Sequence, residues 1–427
     1  MQLITAKYLV SMDGPPVENG GIVVENATII ETGPTKDLLK NYPQAELEEY
    51  PRHVLMPGLI NSHIHLDMGN HKNYPFDPVR SVAVDVNFVD WLVSCIDYKK
   101  QARPANLQEA IQEGIEASIE SGTTCVADMG SFEGIFPLLE KSGLRAVMFP
   151  EVMHASSAKV QDLYQSALAL VEKYQEHATD RLRVGLAPYS PYTLSRQILK
   201  VLSAYCQSAH IALMTHAAES FSEMEFFYNS SGDIANQLFP LIGWKDNLPP
   251  AFQKTPIAYL EEIDFLKAKP LLVGCVQITP DDQEKIKKSD ATVVLTPRAN
   301  QFLKLGAAKI SELHLKGINL ALGTDSFASN ATLSLWDEMR FVYEKFVGGK
   351  ESGISSEDLL KMVTINAAKA LGLSEKIGTL TANKQADYLL VDLGNEFIGA
   401  DLYSHLIQNT KTYHINKVVV AGQTLKK

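Results

Sequence analysis

At 427 residues, with 45% apolar and 21% charged side chains, the chain has the make-up of an ordinary globular protein and the length for a large buried core. A formal net charge of -11 argues against the clustered basic face that a nucleic-acid partner requires. No apolar run is long enough to span a bilayer, and residues 1–10 lack the basic and long apolar pattern of a secretory leader. The cysteines Cys95, Cys125, Cys206 and Cys275 are far apart, so a reduced, cytoplasmic protein with no membrane partner is expected.

Residues 1 to about 55 read as short strands (3–10, 21–24 and 28–31) punctuated by Gly14-Pro15-Pro16 and Gly33-Pro34, which predicts a small β-sheet module rather than a helical one. From about 55 to 370 the pattern changes. Short β-branched runs at 54–65, 123–129, 144–152, 182–188, 211–216, 271–275, 292–296 and 318–323 alternate with amphipathic stretches such as 106–121, 160–175 and 335–346. Eight strand-plus-helix units predict an α/β fold, a (β/α)₈ TIM barrel with its active site at the C-terminal ends of the strands. The proline-containing stretch 229–265 interrupts the rhythm after the fifth run and is expected to be an insertion over the barrel mouth. After a helix at 356–371, strand character returns at 378–380, 388–392 and 417–421. These runs and the N-terminal ones are expected to form one small β-sandwich. The expected division is therefore 1–57 with 372–427 as a composite sandwich, and 58–371 as a barrel.

The chemistry gathers at the ends of the predicted strands. Met56-Pro57-Gly58-Leu59-Ile60-Asn61-Ser62-His63-Ile64-His65-Leu66 ends an apolar run in two histidines one residue apart. On a strand both point to one face, which makes half of a metal site, although an isolated His-x-His is more often a pair of ordinary histidines. His216 closes the fifth run, with Glu219 three residues on, and Asp325 follows the eighth in Gly323-Thr324-Asp325-Ser326. Taken singly, His216 reads as a core histidine, Glu219 as a helix-start charge and Asp325 as a turn former. Together, His63, His65, His216 and Asp325 supply three imidazoles and a carboxylate at one end of one barrel. That set suits one divalent ion, Zn²⁺ first and Fe²⁺ as the alternative, with a position left for water.

The 56–66 motif, Thr215-His216-Ala217-Ala218-Glu219 and Gly323-Thr324-Asp325-Ser326 resemble the amidohydrolase superfamily, in its branch of cytosine, guanine and adenosine-type deaminases and triazine hydrolases. The resemblance runs nearly end to end. It takes in Ala187-Pro188-Tyr189-Ser190-Pro191-Tyr192-Thr193, Thr296-Pro297-Arg298-Ala299-Asn300 and Lys384-Gln385-Ala386-Asp387. Met224-Glu225-Phe226 and Ser329-Asn330-Ala331-Thr332-Leu333-Ser334 are most similar to the aminodeoxyfutalosine deaminase subgroup. The resemblance implies a hydrolase that deaminates an aminated N-heterocycle, one that is purine nucleoside-like and in its narrowest version aminodeoxyfutalosine, through a metal-activated water. In it His63, His65, His216 and Asp325 hold one metal, Glu219 is the general acid/base, and Asp325 also takes a proton from the water. Ala187-Pro188-Tyr189 stands where binuclear members carry a carboxylated lysine, so a single ion is expected. Homodimers are usual in the family.

Three positions depart from that pattern. Gly274 stands where strand six ordinarily ends in histidine, Tyr189 replaces a substrate-facing histidine, and Leu295 replaces another after strand seven. Losing such a group removes transition-state stabilisation, which leaves two alternatives to deamination: a hydrolase of another leaving group, or a metal-containing small-molecule binding protein with weak turnover. His71 and His154 are the loop residues that can substitute for the missing imidazole. Tyr189, Trp91 and Arg298 are the candidate substrate contacts, weighed against a core role for Trp91 and a surface ion pair for Arg298.

Overall fold

The computed structural model describes residues 1–69, 86–130, 132–153, 160–244, 248–347, 353–394 and 401–426; His71 and His154 lie outside the described residues. Eight successive segments form the barrel wall, here called strands one to eight. They are Leu59–Ile64, Thr123–Gly130, Arg145–Val152, Leu182–Val184 continued by Ala187–Pro188, Met214–Ala217, Leu271–Gly274, Thr292–Leu295 and Leu320–Leu322. Neighbours pair in parallel from one to four and from five to eight. Single parallel bridges, Leu186 with Leu213 and Ile64 with Asp325, join four to five and eight back to one. Strands covered on both faces are buried along their whole length, as Thr123–Gly130 is at every position. The helices cover the wall with one face each: Pro104–Glu120 buries Ala110, Ile111, Gly114, Ile115 and Ser118, an i, i+4 stripe.

The run 54–65, expected as one strand, is two. Glu46–Pro57 pairs with Gln2–Leu9 and Tyr388–Asp392 in the terminal sheet, and after Gly58 the chain enters the barrel as Leu59–Ile64. Both halves are buried, so the apolar pattern carries no mark of the hand-over. The terminal strands follow one hydrogen-bonded order: Gln423–Lys426, Ile415–Val420, Tyr388–Asp392, Glu46–Pro57, Gln2–Leu9, Val17–Glu25 and Thr28–Pro34. Ile29 and Val419, from opposite ends of that order, share a core with Ile4, Leu9, Ile22, Leu55 and Leu390, so the sheet folds over on itself as a sandwich. Buried Arg145 of strand three fastens it to the barrel, donating to both Asp387 carboxylate oxygens at 2.9 and 3.1 Å.

Two helices, Thr35–Asn41 and Leu402–Asn409, interrupt a module expected to be all strand, each too short to show a clear period. The helix expected at 356–371 breaks into Ser356–Met362 and Ile365–Ala370, where the Val363 carbonyl instead accepts the Ile60 N–H of strand one at 2.8 Å. The 229–265 stretch holds the short helical turns Ile234–Leu238, Phe239–Leu241 and Pro256–Glu262. It packs on the helix Phe88–Gln101: Asn87, the cap of that helix, donates to Asp233 at 3.0 Å, and Lys100 to the Leu241 carbonyl at 3.4 Å.

Candidate active site

Strands one, five and eight deliver their polar ends to one spot because the chain closes tightly there. A Cβ on Gly323 would stand 2.7 Å from the His63 carbonyl, so only glycine lets strand eight approach strand one this closely. Asn61 locks the approach, donating to Thr324 Oγ1 at 2.7 Å and accepting the Thr324 N–H at 3.2 Å. Asp325 can then take a left-handed φ of 60° and turn inward.

The imidazoles of His63, His65 and His216 are buried, with nitrogens all within 4.8 Å of one another. The His63 ring lies edge-on to the other two, at 4.8 Å from each, and His65 stacks on His216 at 5.8 Å. Asp325 Oδ1 is 3.9 Å from His63 Nε2 and 3.7 Å from His65 Nε2, while its Oδ2 accepts the Ser329 hydroxyl at 2.7 Å. His216 Nδ1 is 3.3 Å from Glu219 Oε2, within ion-pair range but outside hydrogen-bond geometry.

Burial, then the neighbouring imidazoles, hold His63 well below the usual histidine range; burial, then the Lys99 ammonium, does the same to His65. Both rings are therefore neutral and carry a lone pair. Burial alone would lower His216 as well, but Glu219 and Asp325 reverse the direction and raise it. Burial pushes the Asp325 carboxyl up to about 6, against the pull of His216 and Ser329.

A metal fits this donor set. His63 Nε2, both nitrogens of His216 and Asp325 Oδ1 are buried and have no hydrogen-bond partner among the described residues. A buried polar atom left unpaired costs about 1–3 kcal/mol, so the atoms that converge here, one from each of these residues, are accounted for by a shared cation. Neutral imidazoles and one carboxylate are the donors a borderline divalent ion takes.

The group opens into a cavity of about 460 Å³ lined by His65, His216, Glu219 and Asp325 on one side and by Trp91, Leu92, Met153 and Leu303 on others. A larger cavity of about 880 Å³, lined by Leu295, Asn300 and Phe341 among others, contains none of these groups. Convergent titrating side chains, rather than size, single out the smaller one. Tyr189 lines it with its ring tilted over His216 at 5.0 Å, and Trp91 lines it with its indole N–H held by the Ala328 carbonyl at 3.0 Å. Arg298 is not part of that lining. Its guanidinium donates to Thr332 at 2.9 Å and faces Glu338 at 3.7 Å, and Glu338 also accepts from Asn330 at 2.6 Å.

Three residues at the site escaped the sequence reading. Ser329, four residues after Asp325, orients that carboxylate; its place in Ser329-Asn330-Ala331-Thr332 was the available signal. Lys99 lines the cavity from the helix Phe88–Gln101, 3.1 Å from Asp67 and 3.5 Å from Glu151. Burial would strip its proton, but those two carboxylates outweigh burial and keep it charged. Glu223 lies behind Glu219 and accepts the Glu219 N–H at 2.9 Å.

A sequence profile described as the Amidohydrolase family matches residues 54–425. Among curated proteins, the chain is 28% identical to the 5-methylthioadenosine/S-adenosylhomocysteine deaminase of Caldanaerobacter subterraneus subsp. tengcongensis, over 99% of this chain and 92% of the relative. It is 28% identical to the aminodeoxyfutalosine deaminase of Deinococcus radiodurans, over 81% of each chain. Among solved structures, a zinc-bound adenosine deaminase from Xanthomonas campestris superposes with a TM-score of 0.84 at 23% identity, over 99% of this chain and 92% of the other.

Proposed function

This chain belongs to the amidohydrolase family, and from that premise we propose that it is a metal-dependent hydrolase that deaminates an aminated purine nucleoside or a close relative of one. The observation that carries the reading is the convergence of buried His63, His65, His216 and Asp325, with Glu219 beside His216, at the wall of one cavity. The similar proteins named as deaminases, and the zinc in one of them, support the substrate class and the choice of zinc; a single ion, held by the three imidazoles and Asp325, is our reading of the donor set. When bound, such an ion lowers the pKa of a water towards 7 and polarises it for attack.

The residues of this chain do the rest. Water adds to the ring carbon that carries the amino group and gives up two protons in turn, the first to Glu219 and the second, from the hydroxyl of the adduct, through Asp325 to Glu219. Glu219 delivers a proton to the adjacent ring nitrogen and then one to the departing ammonia. Trp91, Leu92, Met153 and Leu303 exclude bulk water from a flat ring, and Tyr189 bounds it over His216. In this reading residues 58–371 are the catalytic unit and residues 1–57 with 372–427 the supporting one. The unpaired, buried cysteines suit a reducing cytoplasm, and among the described residues no helix is long and apolar enough to cross a membrane.

The test is ammonia release from zinc-loaded protein over adenosine, methylthioadenosine, S-adenosylhomocysteine, aminodeoxyfutalosine, aminopyrimidines and pterins. Turnover of at least one nucleoside is expected, and none on the whole panel would sink the reading. Gly274 and Leu295, which add no proton-handling group, favour a second reading: a metal-containing small-molecule binder. That protein would melt higher with a nucleoside bound, yet release no ammonia.

A further inference from the structure

In the deamination reading Glu219 moves the protons, yet it sits on a turn between elements rather than on a strand or helix. Strand five ends at Ala217, Ala218 has a φ of 51°, and the helix Phe221–Asn229 begins only after its cap, Ser220. Bonds from both flanks hold the turn. The Ala217 carbonyl accepts the Cys275 N–H at 3.0 Å, the Ala218 carbonyl accepts the Gln277 N–H at 2.8 Å, and the Glu219 N–H donates to Glu223 Oε2 at 2.9 Å. The last is a departure from an ordinary capping box, where the carboxylate at the third helical position takes the N–H of the cap itself. Here Ser220 Oγ does accept the Glu223 N–H, at 3.1 Å, but Glu223 reaches one residue further back. Glu223 is 1% exposed, and its Oε1 has no partner among the described residues.

The other flank of Glu219 is Gly274, whose partner in the ladder is Ala217. Gly274 has a φ of 97°, and a Cβ there would stand 3.0 Å from the Glu219 Cβ and 3.1 Å from its Cγ. The room left by the missing strand-six imidazole is therefore taken up by the stem of Glu219. Any side chain at 274 must displace that stem and also adopt a backbone conformation that suits glycine.

We propose that Glu223 and Gly274 are positioning residues that clamp Glu219, the first through its backbone N–H and the second by seating its stem. The clamp rests on the assignment of Glu219 as the proton carrier, but it has a readout of its own. In the full-length, metal-free protein, amide hydrogen exchange reports the Glu219 N–H directly. It is expected to be protected in the wild type and in Glu223→Gln, whose amide oxygen can still accept it, and to exchange at least ~10-fold faster in Glu223→Leu. In zinc-loaded protein, Glu223→Leu and Gly274→Ala are expected to lower kcat by roughly 30-fold or more, with KM and zinc content unchanged, because a misplaced proton carrier costs rate rather than binding. Glu223→Gln recovers most of that loss, and Gly274→His lowers activity rather than restoring it.

Wild-type exchange and wild-type kcat in Glu223→Leu overturn the clamp. So does a loss of kcat that comes only with loss of zinc or of global stability. If Glu223→Leu does not fold, Gly274→Ala decides, and an unchanged kcat there overturns the seat. A wild-type protein without turnover on any nucleoside defeats the deamination reading instead, and the exchange measurement still decides whether Glu223 holds Glu219.

Discussion

The mouth of the barrel has two unlike walls. Strands one, five and eight end in His63, His65, His216 and Asp325, all buried and turned towards each other. Strands six and seven end in Gly274 and Leu295, and Leu295 lines the neighbouring, larger cavity instead. The first wall gathers three imidazoles and a carboxylate, the set proposed to hold a metal, while the second contributes no titrating group at its strand ends. In the proposed reading the difference teaches that holding an ion and moving protons are separable tasks in this fold. In the reading proposed above the second falls on Glu219 and Asp325, with Glu219 held in place by contacts that carry no chemistry of their own.

The comparison can be broken most severely at the donor wall. His216→Ala removes one imidazole from the set, and elemental analysis is expected to find the metal lost and ammonia release abolished. Wild-type protein should gain about 4 kcal/mol of stability when zinc is present at ~1,000 times its Kd, and the variant should lose most of that gain. A variant that binds zinc as tightly as the wild type would remove His216 from the donor set. Next comes the carboxylate between the walls. Glu219→Gln should retain zinc while kcat falls on the order of 10³-fold, since the amide cannot carry a proton. Turnover within tenfold of the wild type would move the acid/base role elsewhere.

A smaller effect tests the support behind the donor wall. Burial, reinforced by Asp67, raises the Asp128 carboxyl to about 7, and Asp128 Oδ1 accepts the Leu66 N–H at 2.8 Å. Between about pH 4 and 7 the folded state keeps a proton that the unfolded chain has released, so this group's contribution to stability falls as pH rises through that window. Asp128→Asn keeps the acceptor and is expected to flatten the decline, read as the difference in denaturant midpoint between pH 5 and pH 8. An unchanged decline would mean that Asp128 ionises normally. The smallest effect belongs to Arg298. Arg298→Met should cost about 1–3 kcal/mol, because buried Glu338 loses its counter-charge, and KM should stay within twofold. A large rise in KM at unchanged stability would return Arg298 to the substrate.

What could be read in the sequence was whatever depends on local periodicity. Alternation along a strand puts His63 and His65 on one face, and the ends of apolar runs locate His216, Glu219 and Asp325, so the convergence of these side chains and the barrel order were legible in the sequence. The same rule could not show where the run 54–65 passes from the terminal sheet to the barrel, because both halves are equally buried. Nor could it place Arg298, whose engagement depends on Thr332 and Glu338, 34 and 40 residues away.

By itself, then, the sequence determined which residues would reach the mouth of a barrel. Only the tertiary structure decided what each one meets there. It brought Lys99 in beside Asp67 and Glu151, fixed Asp325 through Ser329, and filled the space beside Gly274 with the stem of Glu219. The physical reason is that strand alternation is a property of neighbouring residues, whereas ion pairs, buried polar contacts and steric seats are made between chain segments whose approach is set by the packing of the whole wall.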